Sequence, residues 1–193
     1  MEIKKEVLVS FIGSYGCGKT SVIRRYFPEC REGEKFYHDG APTKGGWMVY
    51  TKTIEQHPMG LKQSSLKVYD AGHSLNVRDE VGSGVMDAIV VCADVTNESS
   101  IKMALLYNMA LFPVAAYSGP PGRDVKKAMR ILCLTKTETF SGTWAVPLAE
   151  IKAVNVAMPL PFDEIIQTSA GHDVGCRELF DDVIRPHLDK WFD

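Results

Sequence analysis

Gly13 opens the stretch Gly13-Ser14-Tyr15-Gly16-Cys17-Gly18-Lys19-Thr20-Ser21, which fits the spacing G-x-x-x-x-G-K-[ST]. Glycines at these positions let successive backbone N–H groups turn inward, and such a cradle attracts anions. Lys19 adds a compact positive charge on a long stem, suited to the outer phosphates of a nucleotide. The Thr20 hydroxyl is a hard oxygen donor of the kind Mg²⁺ prefers. The chemistry available is phosphate binding, with Gly13, Ser14, Tyr15, Gly16, Cys17, Gly18, Lys19, Thr20 and Ser21 as contact residues. Tyr15 and Cys17 are large side chains for so tight a loop.

Three further groups lie just past short apolar runs. Asp70-Ala71-Gly72 follows Leu66–Tyr69; its carboxylate could hold Mg²⁺ through a water, and the Gly72 N–H could meet a terminal phosphate. Thr135-Lys136-Thr137-Glu138 follows Arg130–Leu134. A carboxylate at Glu138 could accept two hydrogen bonds from the N1–H and N2–H₂ of guanine, a donor pair that adenine lacks. Ser169-Ala170-Gly171 follows Phe162–Thr168, where a backbone N–H could reach guanine O6. Read alone, each of these is equally a strand-ending turn. Together they repeat one arrangement, polar groups at the ends of successive strands.

The elements that must position them alternate. Val7–Ile12, Trp47–Ile54, Leu66–Tyr69, Ala88–Ala93, Arg130–Leu134 and Phe162–Thr168 read as six strands by length and β-branching. Lys19–Phe27, Asn97–Phe112, Trp144–Ala157 and Cys176–Trp191 read as helices, the second capped by Asn97 and the last kinked by Pro186. Residues 29–46, 74–84 and 113–124 read as loops. Pro58 and Gly60 join two strands as an antiparallel hairpin. The expectation is one α/β domain over residues 1–193: a mostly parallel six-stranded sheet with one antiparallel edge hairpin strand and helices on both faces, in the manner of a P-loop NTPase. Ligands of such sheets sit at the carboxyl ends of the strands.

Composition narrows the partners. A net charge of -2 provides no basic excess for nucleic acid. No apolar run reaches the roughly 18 residues of a membrane helix, and neither a secretion signal, a myristoylation glycine nor a terminal prenylation cysteine is present, so a cytoplasmic chain without its own lipid anchor is expected. The five cysteines show no paired spacing and read as free thiols.

The segments "GSYGCGKTS", "TKGGWMVYTKTI", "VYDAGHS", "MDAIVVCADVTNESSI", "LTKTE" and "TSAG" together resemble the Ras-like small GTPases, most closely the Rab and Rab-like branch, from about Val7 to Leu188. The resemblance implies a GTP/GDP-binding switch with Mg²⁺. It implies that Thr43 closes over Mg²⁺ and the terminal phosphate beside Thr20 and Asp70, and that His73, standing where the family has glutamine, orients the attacking water. It implies that Lys136 packs over the base. It further implies effector or complex-subunit proteins on loops 29–46 and 72–84, exchange and activating proteins, and recruitment to membranes or a transport complex by a partner. The chain departs from the family in a shortened Asp70-Ala71-Gly72-His73, in Glu138 for aspartate, in Gly171 for lysine, and in Tyr15, whose ring would fill the space used by an incoming arginine finger. Two other readings stay open: a nucleotide-bound scaffold that hardly cycles, and a P-loop ATPase or small-molecule kinase.

Overall fold

The central strands of this chain carry apolar residues on both faces, and the fold follows from covering both. The computed structural model describes residues 5–28, 35–36, 47–55, 63–70, 86–116, 128–138 and 144–186. In chain order the elements are β1 (Lys5–Gly13), α1 (Lys19–Tyr26), β2 (Lys35–Phe36), β3 (Trp47–Glu55), β4 (Gln63–Asp70), β5 (Ala88–Asp94), α2 (Glu98–Ala116), β6 (Met129–Thr135), α3 (Leu148–Ala157), β7 (Glu164–Gln167) and α4, which runs Cys176–Glu178 and continues in wider π-type turns over Leu179–Ile184.

The strands form one sheet in the order β2-β3-β4-β1-β5-β6-β7. β1 pairs in parallel with β4 and β5, β5 with β6, and β6 with β7. β3 pairs antiparallel with both β2 and β4, so it alone runs against the rest. All six expected strands are present. The seventh, Lys35–Phe36, falls in a segment read as loop; it pairs with Met48 and Trp47 and takes the edge position from β3. Two residues carry no periodicity by which such a strand could be read.

Side-chain alternation sends Val7, Val9 and Phe11 of β1 to one face and Ile12 to the other. The first face is covered by Val22 and Ile23 of α1 and by Leu179, Phe180 and Ile184 of α4. The second is covered by Ile101 and Ala104 of α2 and Ile151 of α3. Phe180 stacks on Tyr26 and Phe11 with ring centroids 4.2 and 5.6 Å apart, which clamps α4 onto α1 and β1. β5 lies between β1 and β6 and is buried at every residue, as an unbroken apolar run demands.

Helix boundaries differ from the sequence reading where proline is involved. α2 does not stop before Pro113 but runs to Ala116. A prolyl ring removes one helical hydrogen bond, yet its fixed φ is itself helical. α3 begins at Leu148, not Trp144, because Pro147 is its extended N-cap residue and the Ala145 N–H is held by the Val95 carbonyl at 2.8 Å. The Asn97 cap forms: its Oδ1 accepts the Ser100 N–H at 3.3 Å. β7 is shorter than expected, since the Phe162 N–H is taken by Asn155 Oδ1 at 2.7 Å. Among the described residues, no helix is long and apolar enough to cross a membrane.

Candidate functional site

Parallel pairing brings the carboxyl ends of β1, β4, β5, β6 and β7 to one edge of the sheet. Phe11 lies opposite Asp70, Gly13 opposite Cys92, Asp94 opposite Thr135, and Leu134 opposite Gln167. Gly13–Thr20 leaves β1 at this edge and enters α1. Gly16 and Gly18 have φ of 72° and 92°, a left-handed backbone that side chains resist. At Gly13 a Cβ would stand 2.5 Å from the Cys92 carbonyl oxygen, so the loop leaves the strand through a gap only glycine fits.

Lys19 folds back into this loop. It is 8% exposed, and its Nζ donates to the carbonyl oxygens of Gly13 at 2.9 Å and Ser14 at 3.0 Å. Cys17 lies beneath, buried, with its thiol pushed up by burial against the opposing pull of Lys19. It is therefore a neutral packing group and no nucleophile. The Cys17 carbonyl accepts the Thr135 hydroxyl at 2.5 Å, which joins the loop to the end of β6. Tyr15 points the other way and is 85% exposed. Ser21 is exposed on α1.

Thr20 Oγ1 donates to Asp70 Oδ2 at 2.5 Å. Fifty positions separate the two in the chain, and the β1–β4 pairing is what makes them neighbours. Both are oxygen donors, the chemistry Mg²⁺ takes, and Mg²⁺ characteristically uses one or two protein ligands with waters for the rest. The pair fits that ion. Among the described residues no larger cluster of metal-ligating side chains exists.

Burial raises the Asp70 pKa, opposed by the Thr20 hydrogen bond and by the charges of Lys19 and Arg24. A carboxyl whose folded pKa is raised stabilises the fold below its unfolded value, and that contribution is lost as pH rises through the folded value. At neutral pH the buried charge is thus a local liability. Asp70→Asn keeps an acceptor for Thr20 and removes the charge. It is expected to stabilise the protein, without nucleotide or Mg²⁺, by about 1 kcal/mol at neutral pH. The gain should vanish once the pH falls below the ordinary carboxylate range. Urea unfolding at both pH values checks this; an asparagine variant less stable at neutral pH would contradict it.

At the other end of the edge, Lys136 adopts φ 59° and its Nζ donates to Asp94 Oδ2 at 2.6 Å. Asp94 is buried, which raises its pKa, but the hydrogen bonds from Lys136 and Thr96 outweigh burial and the net direction is down. Glu138 is exposed; a Cβ on Gly171 would stand 3.8 Å from its Oε1, so the longer acid and the missing side chain face one another. The Ser169 N–H is engaged by the Val174 carbonyl at 2.8 Å and the Thr168 N–H by Leu134 at 2.7 Å. The His172 N–H is held by Ser169 Oγ at 3.1 Å, and Ala170 and Gly171 lie between these two anchored residues. Arg25 of α1 holds the turn from behind through Asp173, Nε to Oδ1 at 2.8 Å, and that contact lowers the Asp173 pKa.

No protein-family model and no curated protein matches this chain.

Of the residues singled out in the sequence, Gly13–Thr20, Asp70, Thr135, Lys136, Glu138 and Ser169–Gly171 gather at this edge. Thr43, Gly72 and His73 lie outside the described residues, as does loop 72–84; within 29–46 only Lys35–Phe36 is described. Asp94, Thr96, Ser100 and Arg25 were missed as site residues. The Asp94-x-Thr96-Asn97 run was a legible turn and cap signal. Its ion pair to Lys136 was not, since 42 positions intervene.

Proposed function

We propose that this chain is a guanine-nucleotide-binding switch of the Ras-like small GTPase kind, binding GTP and GDP with Mg²⁺ and hydrolysing GTP slowly. The observation that carries the reading is the Thr20–Asp70 contact, which puts a loop hydroxyl and an acid from another strand together beside the buried Lys19 ammonium. Turned from the Gly13 and Ser14 carbonyls toward an anion, Lys19 neutralises the β- and γ-phosphates, and the loop amides orient them. Mg²⁺, held by Thr20 and Asp70 and on the family pattern by Thr43, would supply further charge neutralisation. Glu138 reads the guanine amidine edge, Lys136 supplies a platform fixed by Asp94, and an Ala170 or Gly171 amide meets O6. The Gly72 amide and His73 take the terminal-phosphate and water-orienting roles by the same pattern. The family pattern identifies no cis arginine in this sequence, so unaided hydrolysis is expected on the order of 10⁻⁴ per second. Loops 29–46 and 72–84 would meet effector, exchange or complex-subunit proteins in the cytoplasm or on membranes of a transport pathway, ordered by the γ-phosphate and released by its loss.

A second reading, a nucleotide-bound scaffold that hardly cycles, is favoured by Tyr15, whose exposed ring stands on the phosphate loop where a partner's arginine would enter. Titration with GDP, GTP and ATP, with the co-purifying nucleotide identified by mass, tests the first reading. Guanine nucleotides are expected to bind at least tenfold tighter, and tighter ATP binding would move the chain to the ATPase or kinase class. Single-turnover hydrolysis with Tyr15 and with Tyr15→Gly, each with a candidate activator, separates switch from scaffold.

A further inference from the structure

Ser100 belongs to no phosphate- or base-binding motif, yet it stands between the two halves of the site. It is the third residue of α2 and is 3% exposed. Its backbone N–H is fixed by the Asn97 carbonyl at 3.0 Å. Its hydroxyl meets one group nearby in the chain and one far from it. It accepts the Asp94 N–H at 3.0 Å, and it lies 2.9 Å from the Ser14 hydroxyl. With its oxygen accepting from Asp94, its own O–H is available to Ser14. Asp94 in turn carries Lys136 on its carboxylate at 2.6 Å. Contacts therefore run Ser14–Ser100–Asp94–Lys136, from the phosphate loop to the base platform, with the backbone and carboxylate of Asp94 joining the hydrogen bonds on its two sides. This line passes beside the apolar Ile101 and Ala104, both buried. A polar group there is tolerated only while its partners stay in place. Displacing Ser14 or Lys136 thus unsettles the whole line.

We propose that Ser100 is a positioning residue that couples the phosphate loop to the base-reading end of the sheet, so that a nucleotide held by either half retains the other. The inference rests on the nucleotide-binding reading above and names a residue that reading does not need. It sets the lifetime of the complex: with the line intact, base and phosphates leave together; with it cut, each half opens separately.

The test is release of a fluorescent GDP analogue by stopped flow from the unmutated chain, Ser14→Ala, Ser100→Ala, the double variant and Ser100→Thr. A buried neutral hydrogen bond contributes about 1 kcal/mol, so each alanine variant is expected to release nucleotide about fivefold faster. Ser100→Ala also strands the Asp94 N–H and should show the larger effect. The double variant should match Ser100→Ala alone, because one shared bond is removed in all three. Ser100→Thr keeps the hydroxyl and should stay within twofold of the unmutated chain. Release rates that multiply in the double variant, or that do not move in the singles while Ser100→Ala merely melts earlier, overturn the coupling. An unmutated chain that fails to bind the GDP analogue but binds an ATP analogue overturns the reading beneath and the coupling with it.

Discussion

Lys19→Met is expected to lower the affinity of this chain for GDP on the order of a hundredfold, measured by calorimetry against the unmutated protein. Methionine matches the lysine stem in length and apolar character and lacks only the charge. The ammonium is not a surface group that could be dispensed with. It is buried at the start of α1 and bonded to two carbonyls of the loop it would serve. Those bonds hold it within the cradle, so little side-chain entropy remains to be lost when an anion arrives. A hydrogen bond to a charged group contributes about 1.5–3 kcal/mol, and 1.4 kcal/mol is tenfold in affinity. One such bond to phosphate accounts for about ten- to a hundredfold, and the buried setting favours the upper end. Without ligand the variant leaves the Gly13 and Ser14 carbonyls short of a donor, so a modest fall in stability accompanies the loss of binding. Affinity within threefold of the unmutated chain would show that Lys19 is a structural staple of the loop, and the phosphate reading would fail with it.

What the sequence made legible has a physical pattern. β1, β5 and β6 could be read because strands buried on both faces are near-continuous apolar runs, and along β5 every residue is buried, with the apolar run Ala88–Ala93 ending only at Asp94. The Gly13–Thr20 loop could be read because its glycines answer a purely local demand, backbone angles that other residues resist. Contacts between these pieces could not be read. Thr20 meets Asp70, Thr135 meets Cys17 and Ser14 meets Ser100 only because the strand order places β1 between β4 and β5, and no spacing within one segment encodes that order. Proline misled in a related way. Pro113 opens a stretch that reads as loop, yet α2 continues through it to Ala116, whereas Pro147 sets the start of α3 later than the reading from Trp144. The opening puzzle of two large side chains in one tight loop resolves by direction: Cys17 turns into the core and Tyr15 out of it.

The largest effect on stability is expected at a glycine outside the phosphate loop. Gly175 has φ 70° and precedes α4. An alanine Cβ there would run into the Gln167 carbonyl oxygen and lie 3.2 Å from the Thr168 Cα. Both neighbours are backbone, and neither has room to yield. The Thr168 N–H is tied to Leu134, while Ser169 and Val174 bond each other on both sides of the turn. Gly16 provides the matched control. Its φ is 72°, nearly the same, but nothing lies within 4 Å of the added Cβ. Gly16→Ala therefore measures the left-handed backbone penalty alone, about 1–2 kcal/mol. In a chain of this length that lowers the melting temperature by roughly 2–8 °C. Gly175→Ala adds the collision to the same penalty and should exceed about 4 kcal/mol, a size that single substitutions reach only through a specific structural cause. The expected result is a fall of more than about 10 °C, or no folded protein. Circular dichroism melts of the two variants side by side separate the terms. If Gly175→Ala melts no earlier than Gly16→Ala, the close approach of the Gly175 backbone to β7 is wrong. The turn that carries Ser169, Ala170 and Gly171 would then be held by something other than that contact.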